Sequence, residues 1–113
     1  PITRRWRFDP SMTMEIEDDR ATRMLVSRGT REVDTRVYIH IHEYGGHTCV
    51  LSGEITIYME GREPATFEAG TCYDMPPNTY MAAYNSGTVD AELIDTFILP
   101  PGAPHITNCE TGD

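Results

Sequence analysis

Val37-Tyr38-Ile39-His40-Ile41-His42, running on towards Gly45-Gly46, is the stretch whose reading decides the fold. It is rich in β-branched and aromatic residues and ends at a glycine turn, the pattern of a strand. Side chains alternate along a strand, so His40 and His42 point one way while Ile39 and Ile41 point the other. Strict alternation gives Arg36 and Tyr38 the parity of the two histidines. Both are therefore candidates to line the same cavity and to orient a small anionic or carbonyl-bearing ligand.

The same pattern continues on either side of this stretch. Residues 24–26 precede Gly29, residues 48–51 close on Ser52-Gly53, and Glu54–Met59 closes on Glu60-Gly61. Ala65–Glu68, Cys72–Met75, residues 80–84 and Ala91–Leu99 complete the series. Short strands punctuated this often predict an all-β sandwich or barrel. Pro76-Pro77 and Pro100-Pro101 break any helix laid across them, and no window holds a 3.6-residue apolar period, so little or no helix is expected. The chain reads as a single domain over residues 1–113. Residues 1–20 form an N-terminal arm or edge strand, and residues 102–113 a turn-rich tail with the character of an arm or lid.

Charge narrows the partners. Eighteen acidic residues against nine basic ones leave a net charge of −9, which argues against nucleic acid as a partner because phosphate binding needs a concentrated basic surface. Arg4, Arg5 and Arg7 cluster but read as solvated arginines on an edge strand. No lysine is present, which removes Schiff-base chemistry through a lysine side chain. No apolar run approaches the roughly 18 residues of a membrane span. The expectation is a soluble, cytoplasmic protein without a membrane partner. Cys49, Cys72 and Cys109 lie far apart with no C-x-x-C pair, which reads as free thiols in a reducing compartment.

The sequence resembles the cupin family, whose first motif runs G-x5-H-x-H-x3,4-E-x6-G and whose second runs G-x5-P-x-G-x2-H-x3-N. His40, His42 and Gly53 match the first, and Gly70, Pro76 and Asn85 match the second. The resemblance covers roughly residues 34 to 101. It implies a double-stranded β-helix, a jelly-roll barrel of two packed sheets, and it favours a homodimer.

The departures bear on chemistry. Asp34 stands at the leading glycine of the first motif and Asn78 at a glycine of the second, where asparagine tolerates left-handed geometry. The glutamate ligand falls at Gly46 or, with the longer spacing, at His47. The second-motif histidine falls at Met81. Three readings follow from the resemblance. His40, His42 and His47 could hold Fe, Mn, Ni, Cu or Zn with open positions, as in cupin dioxygenases that lack the glutamate. Met81 could join them, which favours copper because a thioether is a soft ligand. The barrel could also be metal-free, with Met81 packed in its interior.

The leading function is a small metal-binding cupin acting on a small organic molecule, with oxygenase chemistry at the His40/His42 pair. The alternatives are a metal-free binding or sensing barrel, and a metal-independent epimerase-like cupin with a histidine base and Tyr38 as acid. His105, in the Pro-Gly tail, reads as a surface residue.

Overall fold

The computed structural model describes residues 22–110, together with the backbone of Ile2–Thr3, Arg7–Phe8 and Met14–Glu17. Arg4, Arg5 and Trp6 of the N-terminal arm lie outside the described residues. The described residues contain no helix, and so none long and apolar enough to cross a membrane.

The described residues form twelve strands: β1 (Ile2–Thr3), β2 (Arg7–Phe8), β3 (Met14–Glu17), β4 (Arg23–Arg31), β5 (Thr35–Ile41), β6 (Gly46–Ser52), β7 (Glu54–Met59), β8 (Ala65–Glu68), β9 (Cys72–Met75), β10 (Met81–Tyr84), β11 (Ala91–Leu99) and β12 (Thr107–Asn108). They form two sheets. One has the order β1-β5-β10-β7-β8, with β12 also on β5, and the other the order β2-β4-β11-β6-β9, with β3 also on β4. From β4 to β7 and again from β8 to β12 successive strands alternate between the sheets in the jelly-roll manner, and all pairings among the described residues are antiparallel except β1 with β5.

The two inner faces supply the core, which includes Leu25, Val50, Ile55, Leu93, Phe97 and Leu99. The centre of the second sheet is long and regular. On β11, Ala91, Leu93, Asp95, Phe97 and Leu99 are buried while the residues between them are not, and β4 shows the same alternation. β4 runs straight through Gly29 to Arg31, beyond the stop suggested by that glycine. Its side-chain-free position is simply one more inward site on the strand.

β5 does not alternate regularly. Met81 of β10 is opposite His40 and Ala83 is opposite Val37, so three residue steps on β5 face two on β10. This β-bulge at Tyr38-Ile39 resets the parity of the strand. Before it, Thr35 and Val37 are buried. Ile39, within the bulge, is exposed, and after it His40 and His42 are buried.

The motif turns keep their geometry despite their altered residues. Asp34 and Asn78 both have positive φ, 61° and 53°, the region that glycine enters freely and that Asp and Asn tolerate best among other residues. Asn85 is fully buried. Its side chain donates to the carbonyls of Arg31 and Val89 and accepts from the amide of Gly87, so it staples the turn between β10 and β11 to the end of β4.

Cys49 and Cys72 are not free thiols. They are register partners across β6 and β9 and form a disulfide, with Cα atoms 3.9 Å apart. Twenty-three residues of separation conceal that contact in the sequence, and with it goes the argument from free thiols to a reducing compartment. Among the described residues, Cys109 is the free cysteine.

Candidate functional site

His40 and His42 are each 4 % exposed. Their rings meet edge to face, with centroids 4.8 Å apart, and the His42 ring also packs on Phe97 at 5.1 Å. His40 Nδ1 lies 2.5 Å from the Tyr38 carbonyl oxygen, and His42 Nδ1 lies 2.7 Å from the His105 carbonyl oxygen. A carbonyl oxygen can only accept, so Nδ1 must carry the proton in each ring. A neutral imidazole protonated there has its lone pair on Nε2. Burial pushes the His40 pKa down to about 4 and lowers that of His42 in the same direction. Both rings are therefore neutral at pH 7, each with one unprotonated nitrogen not used by its backbone bond.

The turn after β5 is pinned at the same place. The His42 carbonyl accepts from the amides of Gly45 and Asn78, which ties the β5–β6 and β9–β10 connections together.

The two rings line a small cavity between the sheets, along with Arg31, Thr48, Tyr73, Met81, Asp95 and other side chains. Its volume of about 20 Å³ is room for one water. Charge is distributed through it. The Arg31 side chain is buried, and burial lowers its pKa while the neighbouring Asp95 carboxylate favours its charge. Asp95 in turn accepts a hydrogen bond of 2.5 Å from the Thr48 hydroxyl. Burial, reinforced by Asp95, pushes the Tyr73 hydroxyl above its usual range, so it remains a proton donor at neutral pH.

The other sequence candidates divide. Met81 is 3 % exposed and lies beside His40 in register, on the cavity wall. His47 does not join the site. Its side chain is 72 % exposed and pairs with Asp74 at 3.2 Å, because on β6 the inward positions are Thr48 and Val50. Arg36 and Tyr38 do not share the histidine face either, since the bulge lies between them and His40. Arg36 instead forms an ion pair with Glu110.

His105 is a cavity wall residue rather than a surface one, with its ring 5.2 Å from that of Phe97. The sequence reading missed Arg31, Tyr73, Asp95 and Phe97 as well. Asp95 carried a usable signal, being an acid at the parity of Leu93 and Phe97 on the otherwise apolar inward face of its strand.

Gly46 explains the missing carboxylate. A Cβ there would meet the Phe97 ring at 2.6 Å. The space that a glutamate would need at this motif position is filled by the aromatic ring that packs on His42. Among the described residues, no group of three His, Cys, Asp or Glu side chains is placed to hold a metal ion. Asp95 and His105 line the same cavity but are not grouped with His40 and His42 for coordination, which leaves two imidazoles and the neighbouring Met81 thioether, a set that does not fit a histidine-carboxylate or three-histidine centre.

Two sheets enclosing an inward histidine pair define the class: the chain has the double-stranded β-helix fold of the cupins. No family model and no curated protein matches the sequence. The likeness lies in solved structures. An uncharacterised conserved protein with a double-stranded β-helix domain from Klebsiella pneumoniae is 19 % identical, with a TM-score of 0.66 over 93 % of this chain and 90 % of that one. An RmlC-like cupin family protein from Methanocaldococcus jannaschii is 17 % identical, with a TM-score of 0.64 over 90 % and 91 %. A DMSP lyase from Ruegeria pomeroyi is 14 % identical, with a TM-score of 0.68. The match covers 91 % of this chain but 52 % of that one.

Proposed function

We propose that this small cupin binds a small polar organic molecule in the cavity between its sheets and acts on it by acid–base chemistry without a metal. The observation that carries this reading is the pair of buried, neutral imidazoles. Each is fixed through Nδ1 to a backbone carbonyl, which leaves Nε2 as the proton acceptor. Tyr73 supplies a hydroxyl that stays protonated and donates a hydrogen bond to the bound molecule, at the place where the sequence suggested Tyr38 as acid. Arg31 and Asp95 provide a buried positive and negative charge on the same wall. A hydroxy acid suits these groups, with its hydroxyl donating to an imidazole and its carboxylate near Arg31.

One observation favours a metal-dependent second reading. An imidazole that donates its other ring N–H to a carbonyl is oriented as metal-bound histidines are. With Met81 beside His40, the chain's own donors would suit a soft ion such as Cu(I) better than the Fe, Mn, Ni or Zn of the oxygenase reading.

Calorimetric titration with a panel of small hydroxycarboxylic acids in the presence of EDTA tests the choice. Binding is expected, weakened about tenfold or more by His42→Phe and unchanged by His47→Ala. Binding that appears only after Cu(I) is added would replace the metal-free reading with the second one.

A further inference from the structure

After β11, the central strand of its sheet, the chain turns at Pro100-Pro101-Gly102 and crosses to β5 of the other sheet, passing over the histidine end of the barrel. The Ala103 carbonyl accepts from Arg23 on β4. His105 and Ile106 then form part of the cavity wall. β12 pairs with the far end of β5, Thr107 opposite Ile41 and Asn108 opposite His40. The Cys109 amide donates to the Ile39 carbonyl at 2.8 Å. Glu110 closes the crossing: its carboxylate accepts from the two terminal guanidinium nitrogens of Arg36 and, at 2.6 Å, from the Ile39 amide.

Two properties of this segment point to movement. The cavity beneath it holds about one water, too little for any organic molecule, so an entering ligand requires part of the wall to leave. The strap is the wall element least tied to the core. Its pairing with β5 spans two residues, and Thr107, Asn108 and Cys109 are exposed. Local opening draws on such weakly packed elements.

The strap is also part of the site, because its His105 carbonyl receives the Nδ1 proton of His42. We propose that residues 103–110 are a strap that lifts to admit ligand, is held shut by the Arg36–Glu110 latch, and on closing fixes the His42 tautomer through the His105 carbonyl. His105 and Glu110 are thereby positioning residues for His42. The inference rests on the reading of the His40/His42 cavity as the working site. It gives Arg36, on the outer side of the β5 bulge, a role in controlling access to that cavity.

The test is the rate of carbethoxylation by diethyl pyrocarbonate, resolved for each histidine by mass spectrometry. In the intact chain, exposed His47 is expected to react fast and His40 and His42 slowly. Glu110→Gln should raise the His40 and His42 rates about tenfold, the factor for losing one charge-assisted hydrogen bond from a local opening, with His47 unchanged. Arg36→Gln removes the latch from its other side and should do the same, which covers the case of one variant failing to fold.

The ¹⁵N shifts of His42 add a readout that a merely structural role would not move. They should report the Nδ1–H form in the intact chain and a tautomer mixture in either variant. Three results would overturn the proposal: His40 and His42 reacting as fast as His47 in the intact chain, folded variants unchanged in both rate and tautomer, or equal loosening of β4–β11 amides in hydrogen exchange. The assay contains no ligand. Failure of hydroxy-acid binding therefore leaves the strap standing, and failure of the strap leaves the binding reading to its own titration.

Discussion

Three histidines fall within eight residues of one another, yet they occupy opposite environments. His40 and His42, at the end of β5 and just beyond it, are buried and neutral, with Nδ1 held by carbonyls. His47, at the start of β6, stands in solvent beside Asp74. The residue type is the same, and parity separates them. β6 alternates with Thr48 and Val50 inward, whereas β5 has taken one extra residue at its bulge. Without that residue, β5 would carry Arg36 and Tyr38 inward together with the two histidines. A one-residue slip exchanges every side chain between the faces, and in this barrel it separates the latch from the pocket.

The largest expected effect comes from the packing that keeps the buried pair dry. Phe97→Ala removes a ring that fills the Gly46 approach and packs on His42, and should cost about 3–5 kcal/mol in urea unfolding. Gly46→Ala should cost about 1–3 kcal/mol by overpacking against the same ring. The double variant should cost clearly less than the sum, because each change relieves the defect made by the other. Strict additivity would show that Gly46 is not held to glycine by Phe97.

Next comes pH. The unfolded chain takes up imidazole protons near pH 6.5, while buried His40 resists until about pH 4. Stability attributable to this residue is therefore complete above pH 6.5, declines as the pH falls through that interval, and levels off below about 4. His40 alone accounts for about 3 kcal/mol of the decline, and His42 adds in the same direction. Glu110 acts in a lower window. Its Arg36 partner and the Ile39 amide hold its carboxyl down to about 2, so the latch contribution is present above pH 4.5 and is lost as the pH falls towards 2. Unfolding midpoints measured from pH 8 to 4 should slope steeply for the native sequence and less so for His40→Gln. Equal slopes would mean that His40 is not held neutral by burial.

The smallest effect sharpens the comparison from its other side. His47→Ala should change stability by less than about 0.5 kcal/mol, since an exposed pair with Asp74 contributes little. A larger loss, or a weakened ligand titration, would bring His47 back into the site.

Much of the architecture was legible because it is local. The turn residues and alternating apolar positions marked the strands from β4 to β11, and the motif spacings located the turns at Asp34, Gly53 and Asn78. The parity of His40 relative to His42 was legible for the same reason: the two are adjacent on one face with no irregularity between them. Asp95 could have been read from its parity on β11.

What the sequence by itself determined, then, is a two-sheet barrel with a histidine pair on one face of a strand and altered residues where a carboxylate and a third histidine would stand. Only the tertiary structure decided the rest. The bulge in β5 turned Arg36 and Tyr38 outward, β6 registry joined Cys49 to Cys72, and the return of the chain over the barrel brought His105 to His42 and Glu110 to Arg36. The physical reason is common to all of these. Alternation is a property of neighbouring residues, but register, bulges and the closure of the barrel depend on contacts between strands far apart in the chain, such as Phe97 occupying the space beside Gly46.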